Sequence, residues 1–399
     1  MTDELLGTGI DDFETSIADM TGEQVDEFSE QMDYDKFVVL DKKELTLFCR
    51  MIEPLSKVAI DEYGKSVHIE SVNEDSVVLK YVGKPYVVSQ VIANKSGKVI
   101  DEFSVSLTIL KKLVTNAYAS LIFVEQEKNG VKEYSISVCN SLLYVETKPL
   151  DCKTYKFEQA ATVPTIDKQK ALYTFKTIGS ILSCADRAAE KVVIIKNNKA
   201  YFNTGAFVAR TDSPFGETKD FVLWKAVTDL IAVLAETTKN SLSYYLDDTN
   251  PGKEKLVLLA DGAIYCECPF GPEQRVSEFY NPGIEQLLNF EASVSIMGDS
   301  LLKLVALVKN LDYLSNIVSI EFTDDKVRFV IYSQDMQKSS PYEFPIVEGH
   351  PDNKGVLKSQ VEVLKTFLEL TGTDVKYAFN DNGLGIHNDN GSFLMRKTS

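Results

Sequence analysis

The residue types best able to do chemistry are few in this chain and lie far apart. Cys266-Glu267-Cys268 puts two thiols on one face of a strand, which is half of a zinc site. No further Cys or His lies nearby in sequence to complete it, so buried strand cysteines are the simpler reading. Gly64-Lys65-Ser66 resembles the end of a phosphate-binding loop, but Ala59 stands where the earlier glycine is needed. Asn380-Asp381-Asn382-Gly383 and Asn388-Asp389-Asn390-Gly391 carry the oxygen donors of a calcium loop without a glutamate at the twelfth position. Hairpin turns account for their glycines. His68, His350 and His387 are far apart with no Ser or Cys motif beside them, and nothing supports a hydrolytic triad. No catalytic residue, metal site or cofactor emerges, and the chain is expected not to be an enzyme.

Weak contact with phosphate is the chemistry that recurs. Lys43, Arg50, Lys111, Lys112, Arg187, Lys191, Lys225, Lys303, Lys309, Lys358 and Lys365, with Lys42, fall on six expected helices. Lys43 and Arg50 are seven apart, as are Lys358 and Lys365, and both pairs lie off the apolar stripe. Any one of these helices alone would pass for an ordinary solvated face. Acids on the helices are about as many, yet the whole chain carries −17, so the helices are basic relative to their surroundings. Recurrence suggests one shared surface able to follow a phosphate backbone.

The elements that position these residues repeat. Residues 171–210 open with the alternating run Leu172-Tyr173-Thr174-Phe175, then change period, with Ile178, Ile181, Leu182, Ala185 and Ala189 at helical spacing. A meander of strands follows: Val192-Val193-Ile194-Ile195, residues 200–202, then Phe207-Val208-Ala209. The same strand, helix and meander is expected five more times, with helices at 41–55 (Asp41 as N-cap, Glu44 three residues on), 107–119, 221–237, 299–315 and 358–370. Strands are expected at 66–72, 76–82 and 86–92, at 103–105, 121–126, 133–139 and 142–146, and at 241–246, 255–260 and 263–268. Others fall at 292–297, 318–322 and 326–332, and at 375–379, 385–387 and 393–395. A polar connection at 151–170 and Asn281-Pro282-Gly283 mark two linkers. Six units joined at two linkers make three domains: 35–150, 165–280 and 289–399. Residues 1–34 are acidic without Lys or Arg and read as a flexible extension.

Length and composition agree. At 399 residues, two or three domains are expected, and 44% hydrophobic with 25% charged residues fits a soluble globular protein. No stretch reaches the length of a transmembrane helix, and the N-terminus MTDELLGTGIDD is acidic, unlike a secretory signal. Six cysteines at irregular spacing point to a reducing cytoplasm. The net charge argues against a generic nucleic-acid coat and is compatible with one basic surface inside an acidic body.

Six such units in three domains resemble the bacterial β-type sliding clamp, the processivity ring of replicative DNA polymerases. The resemblance is clearest in VVIIKNNKAYFNTGAFVART, similar to the clamp's strand pair with its Thr-Asp-Gly-His-Arg-like turn, and in the C-terminal domain from GDSLLKLVALVKNL to SFLMRKTS. Clamps of this family end near a Met-Pro-Met-Arg-like strand; here it is Leu394-Met395-Arg396 without the proline. The resemblance implies an α+β DNA-clamp fold, with three domains of two units each, assembled as a homodimeric ring. Helices would line the pore around double-stranded DNA, and the ring would tether DNA polymerase after a clamp loader places it. It also implies a partner pocket at Thr204, Gly205, Ala206, Phe207, Val208, Leu394, Met395 and Arg396. Ala206-Phe207-Val208 replaces the family's Gly-His-Arg, so the family's standard peptide preference does not carry over to this chain from the resemblance. The acidic extension is closer to a bacteriophage-encoded clamp than to a cellular one, and its Gln24-Val25-Asp26-Glu27-Phe28 loosely resembles a clamp-binding peptide. The alternative expectation is a clamp-derived adaptor that recruits replication or transcription proteins without encircling DNA.

Overall fold

A computed structural model describes residues 34–60, 65–117, 120–138, 141–145, 163–183, 191–292, 294–296, 303, 306, 314–333, 335, 339–351, 356–371, 376–389 and 391–396. The expected acidic extension therefore lies outside the described residues, apart from Tyr34.

The first unit is β1 (Lys36–Asp41), α1 (Lys42–Ser56), β2 (Ser66–Asn73), β3 (Ser76–Gly83) and β4 (Tyr86–Ala93). Asp41 ends the strand in extended backbone, and its side chain accepts a hydrogen bond from Lys43 N at 2.7 Å, which starts the helix. Leu45, Phe48, Cys49, Met51, Ile52 and Leu55 form the buried face of α1. Each such side chain contributes about 1.5–3 kcal/mol on burial, which outweighs the unfavourable Pro54 in the last turn. The second unit repeats the order with β5 (Phe103–Ser106), α2 (Leu107–Asn116), β6 (Ser120–Lys128), β7 (Val131–Val138) and β8 (Ser141–Val145).

The third unit is α3 (Lys168–Ser183), β9 (Val192–Lys196), β10 (Lys199–Asn203) and β11 (Phe207–Asp212). The fourth is β12 (Phe221–Trp224), α4 (Lys225–Thr237), β13 (Leu242–Asp247), β14 (Lys255–Ala260) and β15 (Ile264–Pro269), followed by the short helices α5 (Glu273–Phe279) and α6 (Gly283–Leu287). The fifth has β16 (Val294–Ile296), β17 (Leu314–Phe322), β18 (Lys326–Ser333) and β19 (Ser339–Glu348). Lys303 and Ala306 between β16 and β17 are helical, and the rest of the helix expected at 299–315 lies outside the described residues or in β17. The sixth is β20 (Val356–Gln360), α7 (Val361–Thr371), β21 (Lys376–Asn380), β22 (Gly383–Asn388) and β23 (Gly391–Arg396).

Among the described residues all strand pairing is antiparallel. The sheets run β1-β6-β7-β8, then β13-β14-β15-β4-β3-β2-β5, and β12-β9-β10-β11-β23-β22-β21-β16-β19-β18-β17-β20. Two compact units hold them: residues 1–165 with 237–269, and residues 166–236 with 270–399. The stretch expected as one middle domain, 165–280, contributes to both.

Five expectations change. Leu172-Tyr173-Thr174-Phe175 is helix, because Ala171, Thr174 and Phe175 are the buried positions and their spacing is helical. Phe221–Trp224 is a strand paired with β9 and not the start of a helix. Lys358 lies on β20, whose Leu357 and Ser359 are buried while Val356, Lys358 and Gln360 are exposed, a period of two. Lys191 precedes β9 outside any helix; its carbonyl accepts from Lys225 N at 3.0 Å. The linker expected at Asn281-Pro282-Gly283 is a turn between α5 and α6.

Candidate functional site

On α1, Lys43 and Arg50 are exposed on the side away from the buried stripe, and on α2 Lys112 is exposed beside half-buried Lys111. Lys111 reaches Glu53 of α1 at 3.6 Å, while Lys42 Nζ donates to the carbonyl of Ala117. In the second compact unit, Lys225 pairs with Asp229 at 2.5 Å and Lys365 with Glu369 at 3.6 Å, each one turn apart. Surface pairs of this kind hold their charges by about 0–1 kcal/mol, so a phosphate can draw the lysines away at small cost. Lys303 is exposed; Arg187 and Lys309 lie outside the described residues.

Sequence reasoning missed the most basic of the described helices. Because α3 begins at Lys168, it carries Lys168, Lys170 and Lys176 with no acid in its sixteen residues. Reading its first turns as a connector and a strand hid these lysines. The α4 and α7 helices each carry more acid than base, so α1, α2 and α3 carry the positive charge.

The expected partner residues come together through one strand pair. β11 lies beside β23, with Phe207 opposite Met395 and Val208 opposite Leu394. Thr204, Gly205 and Ala206 form the β10–β11 turn: Thr204 N donates to Phe207 O at 2.7 Å, and Thr204 Oγ1 accepts from Phe207 N at 2.9 Å. Arg396 N donates to Ala206 O at 2.8 Å, and Arg396 Nη2 to Asn203 Oδ1 at 2.9 Å. Gly391 is needed where the strands meet, because a Cβ there would lie 2.2 Å from Arg210 O.

These residues do not line an open pocket. Phe207 is 1% exposed and Met395 0%. Alternation along the strands turns them to one face, where Phe207 stacks on Phe367 of α7 and Ser359 Oγ donates to Met395 Sδ at 3.4 Å. Val208 and Leu394 turn to the other face and join Val276, Ile284 and Leu288 of the α5–α6 segment in one buried cluster. Of the eight, Gly205 is exposed and Ala206 and Arg396 are half-buried.

The α5–α6 segment is fixed by a polar relay. Glu285 accepts from Tyr201 OH and from Arg210 Nη1, both at 2.6 Å, and Arg210 Nη2 donates to Ser392 Oγ at 3.3 Å. Burial and Glu285 push the Tyr201 phenol well above its ordinary pKa. His387 Nδ1 lies 2.9 Å from Ser392 Oγ and Nε2 2.7 Å from Phe290 O, with its ring stacked on Phe290. Gly385 leaves room for the Phe290 ring, since a Cβ there would sit 2.4 Å from Phe290 Cζ. Beside it, a cavity of about 680 Å³ is lined by Glu291, Lys376, His387 and Asp389. At the surface, Arg275 lies over the rings of Trp224 (5.8 Å) and Phe279 (5.7 Å).

Cys266, Cys268 and His68 are core groups. Cys266 and Cys268 are fully buried, and burial pushes both thiols up. His68 is 1% exposed and burial, with Lys80 opposite, lowers it to about 4. Among the described residues no group of His, Cys, Asp and Glu could hold a metal ion, and no helix is long and apolar enough to cross a membrane.

Solved structures of bacterial β clamps share this architecture. DNA polymerase III subunit beta from Borrelia burgdorferi matches with a TM-score of 0.68 and 12% identity, over 92% of this chain and 98% of that one. The Thermotoga maritima beta subunit matches at 0.68 and 13%, over 91% and 99%. The Helicobacter pylori beta clamp bound to a DNA ligase peptide matches at 0.64 and 12%, over 91% and 100%. No family model matches the sequence, and no curated protein does. The chain has the β-clamp fold, an α+β architecture.

Proposed function

We propose that this chain is a DNA polymerase processivity factor. Two copies close head to tail around duplex DNA and tether a polymerase and other replication proteins. The third strand of each meander carries the proposal. By position these are β4, β8, β11, β15, β19 and β23. Four of them join in pairs, β4 to β15 and β11 to β23, and each pair continues a sheet from one expected domain into the next. Among the described residues β8 pairs only with β7, and residues 339–345 of β19 pair only with β18. Domains 35–150 and 289–399 are thus each left with one unjoined edge of the kind that joins the others. Pairing β8 of one copy with β19 of the next uses both edges, and a two-fold axis makes the two joints alike.

In this reading the exposed bases of α1, α2 and α3 face the DNA and make weak, sequence-independent phosphate contacts, while the negative body disfavours DNA elsewhere. Partner peptides are held at the β11–β23 joint, where Gly205, Ala206 and Arg396 reach the surface. The Helicobacter pylori clamp with a DNA ligase peptide supports tethering as a role for this fold. The ring would act without catalysis in the cytoplasm of a bacterium or phage-infected host, placed by a clamp loader. A non-encircling adaptor is favoured by one observation: β19 contains Pro341 and Pro345, and proline removes backbone donors from an edge. Sedimentation over a wide concentration range separates the two. A dimer near twice 44.6 kDa supports the ring, and a strict monomer at every concentration supports the adaptor.

A further inference from the structure

We infer that β19 is a donor-poor edge, so that the joint between copies is weaker than the joints within the chain. This rests on the ring reading and concerns how the second copy is held. The direction of each backbone group on β19 follows from one hydrogen bond. Ile346 N donates to Asp325 O at 2.9 Å, in the turn between β17 and β18. Backbone groups alternate sides along a strand, so Ser340, Tyr342 and Phe344 also direct theirs toward β18. Pro341, Glu343 and Pro345 direct theirs at the open side. That side therefore offers three carbonyls and a single N–H, from Glu343, over five residues.

The joints within the chain have no such gap. β4 meets β15 from Val87 to Gln90 without a proline, and Val91 N adds a bond to Ala263 O at 2.9 Å. β11 meets β23 from Phe207 to Thr211, again without proline, and Arg396 N adds its bond to Ala206 O. An antiparallel strand laid on β19 would leave its own carbonyls opposite Pro341 and Pro345 without donors, the costly half of a missing hydrogen bond. Side chains offer little compensation on β19 itself. Glu343 is already engaged by Lys326 at 2.9 Å and Arg328 at 3.8 Å.

Subunit exchange and dimer dissociation test this. Two differently labelled preparations of the full chain are mixed, and exchange is followed beside sedimentation equilibrium for wild type, the Pro341→Thr/Pro345→Thr double variant and Glu343→Pro. Restoring two donors at each of the two joints should tighten the dimer about tenfold or more and slow exchange in proportion. Removing the last donor should weaken it by a similar factor. Circular dichroism establishes that each variant is folded, and Pro341→Thr alone replaces the double variant if that one is not. A folded double variant whose dissociation constant and exchange rate stay within twofold of wild type overturns the inference and leaves the ring standing. Wild type and variants that are all monomeric remove the ring, and the inference with it.

Discussion

Phe207 and Met395 are opposite each other on adjacent strands and buried beneath α7. A charge at either place must leave water and displace close-packed neighbours. Phe207→Asp or Met395→Asp should therefore cost about 4 kcal/mol or more of stability, read as a large drop in thermal midpoint. A variant of either kind that keeps its midpoint would show that the side chain is not packed as described. His68 gives a second prediction at this scale. Its folded pKa is lowered to about 4 by burial and by Lys80, so the unfolded chain takes up the proton first as pH falls below about 6.5. Stability from this group is fully present above that value and declines toward pH 4, by about 3 kcal/mol in all. Burial raises Glu44 and Glu102, which gives the opposite trend, so the comparison is with His68→Gln. That variant should lose less midpoint than wild type between pH 6.5 and 4; equal slopes would contradict a buried neutral His68.

Among the elements, Gly385 decides how the α5–α6 segment is seated. Gly385→Ala drives a Cβ into Phe290, and overpacking of this size costs about 1–3 kcal/mol. Proteolysis within residues 281–292 should become faster in the variant, and an unchanged cleavage rate would contradict the contact. Much at this scale was legible in the sequence. The meander β2, β3 and β4 announces itself by short runs rich in Val, Ile and Tyr separated by Asn73-Glu74-Asp75 and Gly83-Lys84-Pro85, and the helix stripes at α1 and α2 have the expected period. The failures have specific causes. Thr174 is a polar residue in a buried position, 3.4 Å from Thr211 Oγ1, and it breaks the apolar period that would have marked α3. Phe221–Trp224 is apolar throughout and merges with the helix behind it. β19 is exposed on both faces and holds two prolines, so it has neither alternation nor composition to mark it. The residues expected to form the partner pocket meet on the β11–β23 strand pair. Their burial depends on α5–α6 and α7 and has no local signature.

For the whole molecule, the basic faces of α1 and α2 need supply only weak phosphate contact. Lys43→Glu, Arg50→Glu and Lys112→Glu together exchange three exposed positive charges for negative ones. They should weaken DNA association several-fold at low salt, with a shallower salt dependence, while the dimer is unchanged. Unaltered association would remove α1 and α2 from the DNA-facing surface. Encirclement itself is tested by topology. The protein is incubated with closed circular duplex above its dimer dissociation constant, washed at moderate salt, and the bound fraction is measured before and after one cut linearises the circle. A ring stays with the circle through the wash and leaves through the new ends. Equal loss from circular and linear duplex would contradict encirclement and leave the adaptor.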